Sequence, residues 1–148
     1  MAQTYTRLLY HIVFSTKGRE PWIDPVWRPE LYEYIGGIVR NRKGDLFAAG
    51  GVADHVHLLL RLTASRAVSD VVRDIKANSS GWLHERGVMP FAWQDGYGAF
   101  TLSPNAIPGV PNYINNQESH HARESFRDEF LYMLAESGTE FDPERLWE

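Results

Sequence analysis

His55-Val56-His57-Leu58-Leu59-Leu60-Arg61-Leu62 alternates with a period of two. Val56, Leu58, Leu60 and Leu62 share one wholly apolar face; His55, His57, Leu59 and Arg61 share the other. Successive side chains of a strand point to opposite sides of its sheet. The segment is therefore a strand, and its apolar layer fixes the direction in which both imidazoles point. Asp54 marks the turn before it, and residues 46–52 read as a partner strand with a glycine-rich end at Gly50-Gly51. Residues 6–14 are largely apolar on both faces, with Leu8, Tyr10, Ile12 and Phe14 on one and Leu9, His11 and Val13 on the other. Two apolar faces point to a central strand.

Helical spacing fills the intervals. Asp24-Pro25 offers an N-cap and a first-turn proline. Trp27, Leu31, Ile35, Ile38 and Val39 then repeat at helical spacing to about Arg42. A second helix is predicted over 65–85, with Val68, Val71, Val72, Ile75, Trp82 and Leu83 as its apolar stripe. Residues 97–102 read as a fourth strand. The stretch 104–110, with two prolines and a glycine, reads as irregular. A helix is predicted from Pro111 through Tyr113 and Gln117, and another over 124–137 with Phe126, Phe130 and Leu134 inward. The acidic tail, 138–148, ends in Leu146-Trp147, which equips it to dock. The order β-α-β-β-α-β followed by helices is the split βαβ, ferredoxin-like pattern of an α+β antiparallel sheet. It makes the first and third strands adjacent and central. One sheet face is covered by two helices, and the other is left for a ligand or further helices.

Length and composition bound the rest. The 148 residues suit one domain over 1–148. The 43% apolar and 23% charged residues are those of an ordinary globular core and surface. There is no cysteine, which excludes disulfides, thiolate metal sites and cysteine nucleophiles and fits a cytoplasmic protein. No apolar run approaches the ~20 residues that span a bilayer, and the first residues lack the layout of a signal peptide. The net charge of −4 argues against a simple basic nucleic-acid binder. Its distribution removes the objection to a polyanion partner elsewhere on the surface: residues 1–117 carry a net +2 and residues 118–148 a net −6.

Strand spacing brings His55 and His57 within reach of one metal ion, although a strand His-x-His is also an ordinary solvent-facing pair. Tyr113 and Gln117, four apart, share a helix face. A phenol can form a covalent intermediate, yet for this pair considered alone a half-buried tyrosine beside a surface glutamine is the stronger reading. Adjacent His120 and His121 cannot share one helix face and read as helix-end polar groups. Scattered Lys17, Arg19, Arg61, Arg73 and Lys76, with Trp93 and Tyr97, could meet phosphates and unpaired bases.

Taken together, these residues resemble a known family. Asp54-His55-Val56-His57-Leu58-Leu59 is similar to the His-hydrophobe-His motif of the HUH endonucleases. Tyr113-Ile114-x-x-Gln117, followed by Glu118-x-His120-His121, resembles the catalytic helix of their single-tyrosine transposases, the insertion-sequence and REP-associated enzymes. Tyr10–Lys17, Ile75-Lys76-x-x-Ser79-Ser80 and Phe91-x-Trp93-Gln94-x-Gly96-Tyr97-Gly98-Ala99-Phe100 fit the same family, so the match runs over roughly residues 5–135.

The resemblance implies single-stranded hairpin DNA as substrate and Tyr113 as nucleophile. It implies a divalent metal, Mg or Mn, on His55, His57 and Gln117; two imidazoles suit manganese at least as well as magnesium. It also implies a 5′-phosphotyrosine intermediate and a homodimer, often with the tyrosine helix completing the partner's site. Lys17, Arg19 and Lys76 are the expected DNA contacts. Pro108, Gly109 and Pro111 shorten the helical lead-in to Tyr113, so a hinge is expected at 107–111. A non-catalytic nucleic-acid-binding module of the same fold is the competing reading. A small-molecule phosphoesterase of the two-histidine type would need two His-x-Thr/Ser motifs, which are absent.

Overall fold

A computed structural model describes residues 2–106, 109–121 and 124–148. Four strands, β1 (Leu8–Ser15), β2 (Asp45–Val52), β3 (His55–Leu62) and β4 (Gly98–Thr101), form one antiparallel sheet in the order β2-β3-β1-β4. The first and third strands are thus central and adjacent, as the split βαβ pattern requires. Their register pairs Ile12 with Leu58 and Val13 with His57.

On one face, Ile12, Phe14, Val56, Leu58, Leu60 and Leu62 pack against α1 (Arg28–Asn41) and α2 (Val68–Glu85). Leu31, Ile35 and Val39 of α1 and Val71, Val72, Ile75 and Leu83 of α2 fill this layer. The helix after Asp24-Pro25 begins a turn later than the sequence suggests, at Arg28, with Pro29 in its first turn. Asp24 caps the preceding turn instead: its Oδ1 accepts from the Val26 amide at 2.8 Å.

The second face, carrying Leu9, His11, Val13, His55, His57 and Leu59, is covered by three C-terminal helices, α3 (Val110–Asn115), α4 (Gln117–His121) and α5 (Phe126–Ser137). The single helix expected through Tyr113 and Gln117 is two short ones, interrupted at Asn116. Of the hinge expected at 107–111, residues 107 and 108 lie outside the described residues, while Gly109 caps α3 and Pro111 lies in its first turn.

Two glycines let these helices approach. A Cβ at Gly50 would lie 1.9 Å from the Ile114 carbonyl oxygen, so the α3 backbone rests directly on β2. A Cβ at Gly98 would lie 2.8 Å from the Phe130 ring. Ser125 caps α5 by accepting from the Asp128 amide at 3.1 Å, and Gly138, at φ 69°, ends it.

The tail docks. Leu146 and Trp147 pack on Val13, Phe126 and Phe130, with the Trp147 ring 5.0 Å from that of Phe126. The Glu148 carbonyl accepts from the Gln94 side chain and the Gly96 amide, each at 2.9 Å.

Candidate active site

β3 alternation turns His55 and His57 onto the second sheet face, and α3–α5 bury both completely. Phe126 stacks on His55 at 3.7 Å between ring centroids, with the planes within 1° of parallel. Gln117, at the start of α4, is buried, and its Oε1 lies 3.3 Å from His55 Nε2. Its amide Nε2 donates back to the Tyr113 carbonyl at 3.3 Å. Tyr113 on α3 stands edge-on to His57, with ring centroids 5.9 Å apart. All four residues come together within one chain.

The sequence reading missed the centre of the site. Glu129 on α5 is 2% exposed. Its Oε1 lies 2.9 Å from His57 Nε2, 3.1 Å from His121 Nε2 and 3.8 Å from His55 Nε2. Its Oε2 accepts the Tyr113 hydroxyl hydrogen bond and lies 2.9 Å from His120 Nε2. His120 and His121, read from sequence as helix-end polar groups, both come close to this carboxylate. The signal for Glu129 was its spacing: it is three residues after Phe126 and one before Phe130, inside the inward stripe of α5.

Each histidine is held from behind. His55 Nδ1 lies 2.8 Å from Asp54 Oδ1, His57 Nδ1 2.8 Å from His11 Nε2, and His121 Nδ1 2.8 Å from the Glu124 carbonyl oxygen. Such backing groups fix ring orientation and tautomer. The ligand atoms of His55, His57, His121 and Glu129 all lie within 4.8 Å of one another, so these four residues could hold a metal ion.

The electrostatics follow from burial and this one carboxylate. Burial lowers His57 to about 4, against an opposing pull from Glu129, and lowers His11 to about 3, where the neighbouring His57 adds to the effect. For Glu129, burial alone would raise the pKa, but hydrogen bonds with His121 and His57 hold it well below the usual carboxylate range. Burial and the Glu129 hydrogen bond push the Tyr113 phenol above its ordinary value.

The expected DNA-contact residues are dispersed. Lys17 is exposed on a tight turn, Lys17–Arg19, beside the sheet. Arg19 Nε lies 3.4 Å from Asp54 Oδ2, and its guanidinium sits 4.7 Å over the Trp147 ring. Lys76 stands on α2, on the other side of the sheet. Its ammonium donates to the carbonyls of Gln94, Asp95 and Gly96 at 2.8, 3.1 and 2.5 Å. Burial lowers it to about 8.

The family model "Transposase IS200 like" matches residues 4–117. The transposase of insertion sequence element IS200 from Salmonella typhimurium is 29% identical over 128 residues, covering 79% of this chain and 81% of its own length. The ISDra2 transposase TnpA of Deinococcus radiodurans is 26% identical over 125 residues, covering 80% and 87%. A solved Deinococcus radiodurans structure described as a transposase has a TM-score of 0.62 at 24% identity, covering 79% of this chain and 96% of that one. A REP-associated tyrosine transposase solved with a REP hairpin has a TM-score of 0.57 at 17% identity, covering 77% and 68%. At these identities, the two structures speak to the fold.

Proposed function

The chain belongs to the IS200-like transposase family, and from that premise we propose that it cleaves and rejoins single-stranded hairpin DNA through a 5′-phosphotyrosine intermediate. The observation that carries this reading is the convergence of Tyr113 and Gln117 on the chain's own His55 and His57. Their chemistry suits a divalent cation, magnesium or manganese, held by His55, His57 and Gln117. When bound, such an ion supplies positive charge that polarises the scissile phosphate and favours the phenolate of the nucleophile.

Tyr113 contributes the attacking oxygen. Its bond to phosphorus forms as the P–O3′ bond breaks. The proton given up by the phenol balances the one gained by the departing 3′-hydroxyl. The ester energy is retained, so another 3′-hydroxyl can reverse the step and join strands without a nucleotide cofactor. Glu129 orients the phenol before reaction by accepting its hydrogen bond.

Lys17, Arg19 and Lys76 are the proposed phosphate contacts. Lys17 is already exposed, whereas Arg19 and Lys76 would have to exchange protein partners for DNA. One body over 1–148 performs both recognition and chemistry in this reading, as a homodimer. The REP hairpin in the solved relative is consistent with the proposed substrate class.

The test is incubation with hairpin-bearing single-stranded oligonucleotides and manganese, followed by a denaturing gel. Wild type gives a slower, chelator-sensitive band that Tyr113→Phe does not form. A band that survives in Tyr113→Phe overturns the nucleophile.

A further inference from the structure

The histidines and acceptors around Glu129 do not balance as a hydrogen-bond network. A neutral imidazole has one N–H. His121 faces acceptors at both ring nitrogens: the Glu124 carbonyl at Nδ1, and Gln117 Oε1 at 2.8 Å and Glu129 Oε1 at 3.1 Å at Nε2. His55 likewise faces Asp54 Oδ1 at Nδ1 and Gln117 Oε1 at Nε2. If each Nδ1–H is given to the acceptor behind it, the two Nε2 lone pairs point at oxygen lone pairs in a buried space. A cation among them, taking the place of a second imidazole proton, resolves that excess of acceptors.

The spacing suits one ion. Nitrogen and oxygen ligands at roughly 2.0–2.2 Å from a metal stand about 3 Å apart in an octahedral arrangement and somewhat farther apart in a tetrahedral one. The separations of Glu129 Oε1 from His57 and His121, 2.9 and 3.1 Å, fall in that range, and the 3.8 Å to His55 lies just beyond it.

We propose that His121 and Glu129 are ligands of the same cation as His55, His57 and Gln117, giving it three imidazoles, one carboxylate and one carboxamide oxygen. This rests on the reading of the site as a divalent-cation centre and extends its ligand set. Three imidazoles favour manganese or zinc over magnesium, which prefers oxygen and keeps its water. Glu129 then spans the site: Oε1 faces the ion and Oε2 holds the Tyr113 hydroxyl, so the nucleophile is set against the cation by one side chain.

The experiment is manganese binding to the purified full chain, by calorimetry and by pulsed EPR of the bound ion, with far-UV circular dichroism as the folding control. Wild type binds one Mn2+ per chain, more tightly than Mg2+, and the EPR counts three coordinated imidazoles. Glu129→Gln and His121→Ala each weaken binding by at least ~10-fold, and His121→Ala lowers the imidazole count to two. Two imidazoles in wild type, or both variants binding Mn2+ as wild type does while His55→Ala abolishes binding, overturn the extended set and leave the His55, His57, Gln117 reading standing. No binding by wild type overturns both. The wild-type imidazole count decides the matter even where a variant does not fold.

Discussion

The two faces of the sheet are built differently, although β1 and β3 supply both. The α1/α2 face is a continuous apolar layer, with Ile12, Phe14, Val56 and Leu58 all 0% exposed, under two helices of 14 and 18 residues. The other face is covered by helices of 6, 5 and 12 residues and buries His11, His55, His57, Gln117 and Glu129. Unpaired buried polar groups are costly, and His11, His55, His57, Gln117 and Glu129 each lie within hydrogen-bond distance of another of these groups. The first face supplies the stability that lets the second carry a charged, acceptor-rich cluster.

The largest test of this division lies in the apolar layer. Leu58→Ala should cost about 2–5 kcal/mol in denaturant unfolding. The fraction that remains folded should form DNA adducts at the normal rate, because Leu58 points away from the site. An equal loss of adduct rate per folded molecule would break the contrast between the faces.

Acid should act on the second face first. Burial holds His57 at about 4 against 6.5 for a free imidazole, so between these values the unfolded chain binds a proton that the folded chain refuses. This contribution is complete above about pH 6.5 and is lost as pH falls toward 4. In the metal-free protein it is on the order of 3 kcal/mol from His57 alone. Glu129, with its lowered pKa, adds to the loss at the acid end, while the raised His121 opposes it. Thermal unfolding of chelated protein across this range checks the slope, and a flat profile would contradict the buried-neutral histidine.

Gly50→Ala perturbs the second face. The new methyl meets the α3 backbone at Ile114, so stability should fall by about 1–3 kcal/mol. Adduct formation should fall by about 100-fold, because Tyr113 shifts with α3. Melting temperature and single-turnover adduct rate separate the two effects.

The smallest effect is expected at the tail. Trp147→Ala removes a partly buried ring from Phe126, Phe130 and Arg19 and should cost about 1–2 kcal/mol by thermal unfolding. The α1/α2 layer should be untouched, as amide hydrogen exchange in β3 would show.

What was legible in the sequence tracks the same division. The apolar face follows a strict period of two in β3 and a regular helical stripe in α1 and α2, so the fold and the direction of His55 and His57 could be read directly. Tyr113 and Gln117 were legible through the family motif. Glu129 was not, because a lone glutamate in an amphipathic helix is usually solvated, and only its place between Phe126 and Phe130 marked it as inward. His121 was obscured by the break at Asn116, which invalidates face assignments made for one continuous helix. His11 joins His57 through the register of β1 on β3, a pairing that no local pattern encodes. Lys76 has the charge of a phosphate contact, but three carbonyls of the Gln94–Gly96 loop hold it.

The polar face is proposed as a nucleolytic site with Tyr113 as its nucleophile. Peptide mass spectrometry of the nuclease-trimmed protein–DNA adduct tests it most directly. A nucleotide phosphate is expected on Tyr113, formed with manganese and absent after chelation. A nucleotide on any other residue, or on Tyr113 in equal yield without metal, would contradict it.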